Sequence, residues 1–406
     1  MEKYGLIGRT LKHSYSKEIH NLLGDYPYDL YELEPEEVGE FVKSKKLKAF
    51  NVTIPYKKDV MPYLDEIDES ARLIGAVNTV VNENGKLVGY NTDFKGMIYM
   101  LSRAKIDVKD KKVMILGTGG TSFTAQAVAL HLGAKEIVVV SRSGKVNYDN
   151  YLVHADAQVV INTTPVGMYP NNYEKPIDLG DFKNLTGVAD AIYNPDTTMF
   201  TCQAERLGVN YTNGLPMLVA QAKFAFEKFF SKTVPDSVIE GGLNKIWKDT
   251  LNVVLIGMPG SGKSTIGKAL ASALGYEFID TDDKIVEKTG MDIPTIFATK
   301  GEGYFRKIES EVLKEVGVLT RKVIATGGGV VKDKNNYFAL KQNGKIFWIF
   351  RDLNALATDG RPLSKDMETV KKLYEERKNL YNAFKHFKIE NNGSVDLAVK
   401  GVLDLL

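Results

Sequence analysis

Residues Gly257–Ser264 read GMPGSGKS, a G-x-x-x-x-G-K-[ST] pattern that ends on Gly262, Lys263 and Ser264. The apolar run Leu251-Asn252-Val253-Val254-Leu255-Ile256 leads into it, and the helix-like Thr265-Ile266-Gly267-Lys268-Ala269-Leu270 leads out. Strand, glycine loop and helix in that order form a cradle for nucleotide phosphates. Backbone N–H groups at a helix start face the anion, the lysine adds a point charge, and the serine hydroxyl can ligate Mg²⁺. Gly260, Gly262, Lys263, Ser264 and Thr265 are therefore the expected cradle. This part of the chain handles a nucleoside triphosphate.

A second glycine loop, of different design, lies upstream. Val113-Met114-Ile115-Leu116 runs into Gly117-Thr118-Gly119-Gly120. The spacing is G-x-G-G rather than full G-x-G-x-x-G, and a plain tight turn fits it as well. The next strand adds weight. Ile137–Val140 ends in Ser141-Arg142-Ser143, about twenty residues on, where a dinucleotide fold that takes NAD carries an acid for the ribose. Arg142 in that place suits a 2′-phosphate, and so NADP.

Bulk properties narrow the class. The chain has 406 residues, 44% hydrophobic and 26% charged, which suits about two or three globular domains. A net charge of +2 gives no reason to expect nucleic acid or an anionic membrane as a partner. The single cysteine, Cys202, excludes an internal disulfide and a thiolate-rich metal site. The opening MEKYGLIGRT lacks a signal pattern, and no apolar run is long enough to span a bilayer. A cytoplasmic enzyme is expected; oligomeric state is not readable.

Strand-like runs at Lys3–Ile7, Lys48–Val52, Val113–Leu116, Ile137–Val140, Val159–Ile161, Gly187–Ala189, Val323–Ala325 and Lys345–Phe350 alternate with helical stretches. That alternation predicts an α/β fold with parallel sheets. Leu218–Phe230 and Ser237–Lys248 carry apolar residues at helical spacing, and Pro235 separates them. A domain boundary is expected near Asp249, with almost no linker before the phosphate-loop strand.

Residues 1–249 resemble the shikimate dehydrogenase family. The ordered blocks are Ser14-Tyr15-Ser16, Asn51-Val52-Thr53-Ile54-Pro55-Tyr56-Lys57, Gly75-Ala76-Val77-Asn78-Thr79, Gly89-Tyr90-Asn91-Thr92-Asp93, Asn162–Met168 and Asn213–Gln221. The resemblance implies an N-terminal α/β substrate domain over 1–96, completed by C-terminal helices within 215–249, and a Rossmann-like NADP(H) domain over 97–214. Reducing a ketone by hydride requires a positioned acid to protonate the oxygen, and the resemblance places Lys57 and Asp93 there. It implies Ser14 and Ser16 at a substrate carboxylate, and Thr53, Asn78, Asn91 and Gln221 at ring hydroxyls. Tyr193 is also expected to face the substrate. Gly117, Gly119, Gly120, Ser141, Arg142, Gly214 and Met217 are expected at the cofactor. The stretch from Ser143 to Val159 is short for the family, so one Rossmann helix is expected to be reduced or missing. The nucleotide block opens on Ser141 where the family has Asn, and Lys145 only loosely replaces its second basic residue.

Residues 250–406 resemble shikimate kinase, a small P-loop kinase. Beyond the phosphate loop, the match rests on Phe278-Ile279-Asp280-Thr281-Asp282, Gly301-Glu302 with Phe305-Arg306, Gly327-Gly328-Gly329, Gly360-Arg361-Pro362-Leu363 and Arg377. Asp280 and Asp282 are read as alternating at a strand end, where carboxylates can hold hydrated Mg²⁺ and accept a hydroxyl proton. The resemblance puts Asp280, with Ser264, at the metal, and Asp282 at the substrate as the base. Arg306 and Arg377 are expected to clamp a carboxylate with guanidinium forks, Gly328 and Gly329 to let backbone approach the substrate, and Arg361 to reach the transferring phosphoryl group from a lid. The lid stretch Asn354–Asp359 lacks the arginine that the family often places near adenine.

Together the two resemblances imply NADPH-dependent reduction of 3-dehydroshikimate to shikimate, then ATP- and Mg²⁺-dependent phosphorylation of shikimate, towards chorismate and the aromatic amino acids. Three alternatives stay open on sequence alone. The first half could favour quinate, one half could bind without turnover, or the kinase half could act on another small polyol.

Overall fold

The computed structural model describes residues 2–12, 14–356 and 367–406. It divides into two compact units, Met1–Lys245 and Ile246–Leu406. The division falls inside the helix Ser237–Thr250, which also contains Asp249.

The first unit holds two sheets. One has the order β2-β1-β3-β5-β6-β4, formed by β1 (Tyr4–Gly8), β2 (Tyr28–Glu32), β3 (Ala49–Val52), β4 (Glu66–Ile67), β5 (Thr79–Glu83) and β6 (Lys86–Tyr90). β1 is parallel to β2 and β3, but β5 runs antiparallel to both β3 and β6. The α/β fold with parallel sheets is as expected, and among the described residues this first sheet alone of the three is mixed. The reason is local. Asn84 and Gly85, with φ of +53° and +92°, make a two-residue turn between Glu83 and Lys86, and an Asn-Gly pair favours such a hairpin. The helix Leu215–Phe230 returns to this sheet, where Ala225 and Phe229 pack on Tyr4, Leu6 and Tyr28. It also packs along the helix Asp93–Arg103, where a Cβ on Gly96 would stand 2.9 Å from the Met217 carbonyl oxygen.

The second sheet is all parallel, in the order β11-β10-β9-β7-β8. Its strands are β7 (Lys112–Leu116), β8 (Glu136–Val140), β9 (Val159–Asn162), β10 (Gly187–Asp190) and β11 (Asn210–Thr212). The chain leaves β7 towards β8 and returns to β9 on β7's other side. Strand order thus reverses at β7, and ligands bind beyond the carboxyl ends of strands at such a switch point. Between β8 and β9 the crossover carries only the 3-10 turn Tyr151–His154, in keeping with the shortness of that stretch.

The second unit has one parallel sheet, β13-β14-β12-β15-β16. Its strands are β12 (Asn252–Ile256), β13 (Glu277–Asp280), β14 (Lys322–Ala325), β15 (Gly344–Phe350) and β16 (Phe387–Glu390). Alternate residues of β15 serve two cores. Ile346 and Trp348 join the core with Tyr381 and Phe384, while Phe347 and Ile349 join the one with Ile266 and Leu270. Burial on both faces explains the near-continuous apolar runs that made these strands legible.

Candidate active sites

In the first unit, Lys57 and Asp93 meet. Lys57 Nζ donates to Asp93 Oδ2 at 2.6 Å, with side chains 23% and 12% exposed. Asp93 is the first residue of the helix Asp93–Arg103, where the helix dipole favours a carboxylate. Lys57 follows a turn closed by the Tyr56 N–H on the Thr53 carbonyl, and its own carbonyl accepts from the Val77 N–H at 2.8 Å. Backbone bonds on both sides therefore fix the ammonium's origin.

Beneath the pair lies a buried polar chain that sequence reading missed. The Tyr28 hydroxyl donates to Asn51 Oδ1 at 2.8 Å, and Asn51 Nδ2 donates to Thr79 Oγ1 at 3.1 Å. Asn78 Oδ1 accepts from the Thr92 N–H at 2.7 Å, and its Nδ2 donates to Thr92 Oγ1 at 3.1 Å. Asn78 thus ties β5 to the residue just before Asp93. Asn91 also braces its own turn. Its Nδ2 donates to the Ala76 carbonyl at 2.9 Å and its Oδ1 accepts from the Phe94 N–H at 3.3 Å, which leaves one N–H and one lone pair of the amide for a ligand. Ser14 Oγ accepts from the Ser16 N–H at 3.2 Å and donates to Ser16 Oγ at 3.1 Å, at the start of the helix Ser16–Leu23. Thr53 is half-buried beside Gly8, where a Cβ would stand 2.6 Å from its Cγ2. Gln221 packs next to Gly96, and its Nε2 donates to the Leu218 carbonyl at 2.9 Å. The Tyr193 ring meets Tyr15 edge-on at 6.0 Å.

The dinucleotide-type loop stands at the switch point. Gly117 takes a φ of +105°, and a Cβ there would lie 2.9 Å from Thr163 Oγ1 beyond β9. Gly119 caps the helix Gly120–His131 without a side-chain bond, and space for at least 4 Å is open beside both Gly119 and Gly120. Free N–H groups at a helix start with open space above them suit a pyrophosphate. Ser141 and the exposed Arg142 follow β8. Gly214 is irreplaceable on space alone, since a Cβ would sit 2.1 Å from the Ala191 carbonyl oxygen. Met217 is nearly buried among Met97 and Met100. Asp190, not anticipated, is fully buried at the end of β10. Burial pushes its carboxyl up to about 7, although Thr198, Ile192 and Asn162 all donate to it.

In the second unit, the phosphate loop bends through Gly257, Gly260 and Gly262 at φ of +149°, +85° and +92°, conformations that favour glycine. Lys263 Nζ donates to the carbonyls of Gly257 and Met258, both at 3.0 Å. Ser264 Oγ donates to Asp280 Oδ2 at 2.7 Å. Asp280 closes β13 and caps the helix Thr281–Thr289 through the Asp282 N–H. Asp282 therefore sits in the first turn of a helix, not on the strand end with Asp280. Burial, then the Asp280 charge, pushes its carboxyl up to about 6. Among the described residues no group of three or more His, Cys, Asp or Glu could hold a metal alone. Ser264 and Asp280 offer two converging oxygens, which suits Mg²⁺, an ion completed by waters and phosphate oxygens.

A cavity of 660 Å³ joins this loop to Asp282, Arg306 and Arg377. Each glycine of 327–329 makes room for a different part. A Cβ on Gly327 would meet Asp282 Oδ1 at 2.9 Å, one on Gly328 would meet Pro259 at 2.5 Å, and one on Gly329 would meet Arg306 Nη2 at 2.3 Å. Arg306 Nη1 donates to Glu309 Oε2 at 2.8 Å. Burial raises the Glu309 carboxyl, and its Oε1 has no hydrogen-bond partner. Arg377 Nη1 donates to the Gly328 carbonyl at 3.1 Å, while its buried Nε has no partner. Arg306 also donates from Nε and Nη2 to Glu302 Oε1, at 3.3 Å and 3.1 Å, and two guanidinium groups lining one cavity suit an anionic substrate. Arg361 lies outside the described residues.

A two-sheet unit with a lysine–carboxylate pair and a dinucleotide-type loop is an oxidoreductase architecture, and the unit after it is a P-loop phosphotransferase. Comparison with known proteins sharpens both. Residues 6–80 match the model of the shikimate dehydrogenase substrate binding domain, and residues 259–406 match that of shikimate kinase. The chain is 38% identical over 268 residues to the shikimate dehydrogenase (NADP(+)) of Clostridium beijerinckii, covering 61% of this chain and 99% of that protein. It is similar to a crystal structure of a chorismate mutase/shikimate 5-dehydrogenase fusion protein from Clostridium acetobutylicum, at 37% identity and a TM-score of 0.58 over 61% of this chain and 97% of that one. It is likewise similar to the Listeria monocytogenes shikimate 5-dehydrogenase solved with shikimate and NAD, at 30% identity and a TM-score of 0.55 over 60% of this chain and 96% of that one. The chain belongs to the shikimate dehydrogenase family and carries a shikimate kinase domain after it.

Proposed function

We propose that the chain catalyses two consecutive reactions on one small cyclohexene acid, and that Lys57, oriented by Asp93, and Asp282 are the residues that move protons in them. The first unit reduces 3-dehydroshikimate to shikimate; the second transfers a phosphoryl group from ATP to shikimate. The supporting observation in the first unit is the 2.6 Å Lys57–Asp93 contact. Bound NADPH supplies the hydride. Lys57 delivers the proton to the substrate oxygen, and Asp93 holds the ammonium in line and stabilises its charge. Ser14 and Ser16 present hydroxyls to the carboxylate, while Thr53 and Gln221 serve the ring hydroxyls. Asn78 acts mainly by holding Thr92 and so the start of the Asp93 helix.

In the kinase unit the observation that supports the reading is the one cavity that joins the phosphate loop to Asp282, Arg306 and Arg377, with the Asp282 carboxyl, raised by burial, as the acceptor of the hydroxyl proton. Lys263 and the N–H groups around Gly260 and Gly262 hold the phosphates. Ser264 and Asp280 hold Mg²⁺, which neutralises phosphate charge when bound. Arg306 and Arg377 take the carboxylate of shikimate, which favours this acid over an uncharged polyol.

A coupled assay tests the whole reading. With dehydroshikimate, NADPH and ATP, the full chain should oxidise NADPH and form ADP together. Lys57→Ala should stop the first signal yet still release ADP when shikimate is supplied, and Lys263→Ala should do the reverse. A chain inert toward both acids with both nucleotides present would refute the reading.

A further inference from the structure

Arg351 follows β15 directly and lines the same cavity as Gly260, Gly262 and Lys263. Its Nε is closed off from solvent without a hydrogen-bond partner, and among the described residues its guanidinium donates no hydrogen bond and enters no ion pair. A guanidinium on a cavity wall with no protein acceptor among the described residues keeps its outer donors for a ligand.

The surroundings show which ligand would supply it. The exit of β15 presses on the start of the phosphate loop, where a Cβ on Gly257 would stand 2.4 Å from the Ile349 carbonyl oxygen. Residues on both sides of Arg351 are tied down. The Asn391 N–H donates to the Phe350 carbonyl at 2.7 Å, and the Asp352 N–H donates to Asn392 Oδ1 at 2.8 Å. Asn391 in turn donates from Nδ2 to the Ser261 carbonyl at 2.8 Å, within the loop. The Arg351 backbone is thus framed against the phosphate cradle. Side chains alternate along a strand, and Phe347 and Ile349 face the core containing Ile266 and Leu270 of the helix that the cradle opens. Continued by one step, the alternation puts Arg351 on the cradle's side of the sheet, away from the face of Trp348 and Tyr381.

We propose that Arg351 is a nucleotide-binding residue of the kinase unit, its guanidinium taking oxygens of the phosphate chain. A planar fork of N–H donors matches phosphate oxygens in pairs, as a lysine cannot. The inference rests on the kinase reading given above and extends it to a residue outside the glycine loop. A charged residue immediately after the apolar run Lys345–Phe350 stands at the carboxyl end of a strand, where ligands of open α/β sheets bind.

The test uses the full chain with saturating NADP⁺, so that the dinucleotide site is filled. Titration with a fluorescent N-methylanthraniloyl ADP and steady-state ADP release with shikimate are measured for wild type, Arg351→Ala and Arg351→Lys. Arg351→Ala should weaken analogue binding and raise the KM for ATP about 10- to 100-fold, the range for a charge-assisted hydrogen bond. The KM for shikimate and the dehydrogenase rate should stay within about twofold, and Arg351→Lys should recover only part of the loss. Competition by adenosine, which lacks phosphate, should be unchanged. An unchanged KM for ATP in Arg351→Ala overturns the proposal, as does an equal rise in the KM for shikimate. Adenosine weakened as much as the ADP analogue overturns the assignment to phosphate. A wild type that binds the analogue but phosphorylates no shikimate refutes the proposed function instead, and the binding titration still decides the role of Arg351.

Discussion

The Tyr381 hydroxyl donates to the Gly328 carbonyl oxygen at 2.5 Å, and the same oxygen accepts from Arg377 Nη1 at 3.1 Å. Tyr381 and Arg377 lie four residues apart on the helix Met367–Phe384, so they share a face. One helix thereby sets both the tilt of the Gly328 peptide and the position of an arginine assigned to the substrate carboxylate. The Tyr381 ring is fully buried and stacks on Trp348 at 5.6 Å, which leaves the hydroxyl little freedom to seek another acceptor.

Tyr381→Phe should therefore act on substrate binding more than on turnover. It keeps the ring packing and removes one buried hydrogen bond, worth about 0.5–1.5 kcal/mol. The KM for shikimate in the kinase reaction should rise about 3- to 10-fold while the KM for ATP stays within about twofold. Kinetics with each substrate varied in turn decide it. Equal rises in both would mean a general loosening of the unit.

The dehydrogenase prediction concerns the Lys57–Asp93 contact. A positioned acid contributes about 10²- to 10⁴-fold, so Lys57→Ala should lower the rate of dehydroshikimate reduction by that range with little change in NADPH binding. Asp93→Asn keeps the shape but not the charge that holds the ammonium, and should cost less than Lys57→Ala. Stopped-flow reduction on the full chain separates these effects from product release.

Kinase activity should show an acid limb set by Asp282. Its carboxyl is raised from 3.8 to about 6, by burial first and by the Asp280 charge second. A base works only when deprotonated, so kcat/KM for shikimate should fall as pH drops through about 6, approaching tenfold per unit. Asp282→Asn, which keeps the shape without a titrating carboxyl, should remove this limb together with most of the turnover. A limb that persists unchanged in that variant would exclude Asp282 as the group that sets it.

How far this site was legible beforehand depended on whether the chemistry is local in the chain. GMPGSGKS, the Lys57 and Asp93 blocks and the shortened stretch after Ser143 are contiguous strings, and each led to the right element. Asn84-Gly85 is equally local and marks the hairpin that makes the first sheet mixed, a signal that the overall strand–helix alternation hides. Alternation with Asp280 points to a strand at Asp282, but the cap overrides it: the Asp280 side chain accepts from the Asp282 N–H and starts a helix there. Arg351, Tyr381, Glu309 and the Asn51–Thr79 link had no local signature. Their roles come from what the fold sets opposite them, such as the Gly328 carbonyl for Tyr381, 53 residues away in sequence.

Gly329 gives the most stringent test of the glycine run. A Cβ there would stand 2.3 Å and 2.5 Å from the two terminal nitrogens of Arg306. No backbone stands in the way, so Gly329→Ala should be absorbed by displacing the guanidinium rather than by unfolding the unit. Overpacking that a side chain relieves costs about 1–3 kcal/mol, and here the relief removes a carboxylate clamp already held by Glu309 at 2.8 Å. The KM for shikimate should rise at least tenfold, with the thermal transition of the chain lowered by only a few degrees. Gly328→Ala differs in kind, because its Cβ would press on the Pro259 ring at 2.5 Å and hence on the phosphate loop, so the KM for ATP should rise instead. Steady-state kinetics of the two variants, each with the thermal transition of the chain as its folding control, should show these opposite patterns; the same pattern in both would mean that the glycines serve only as a flexible loop.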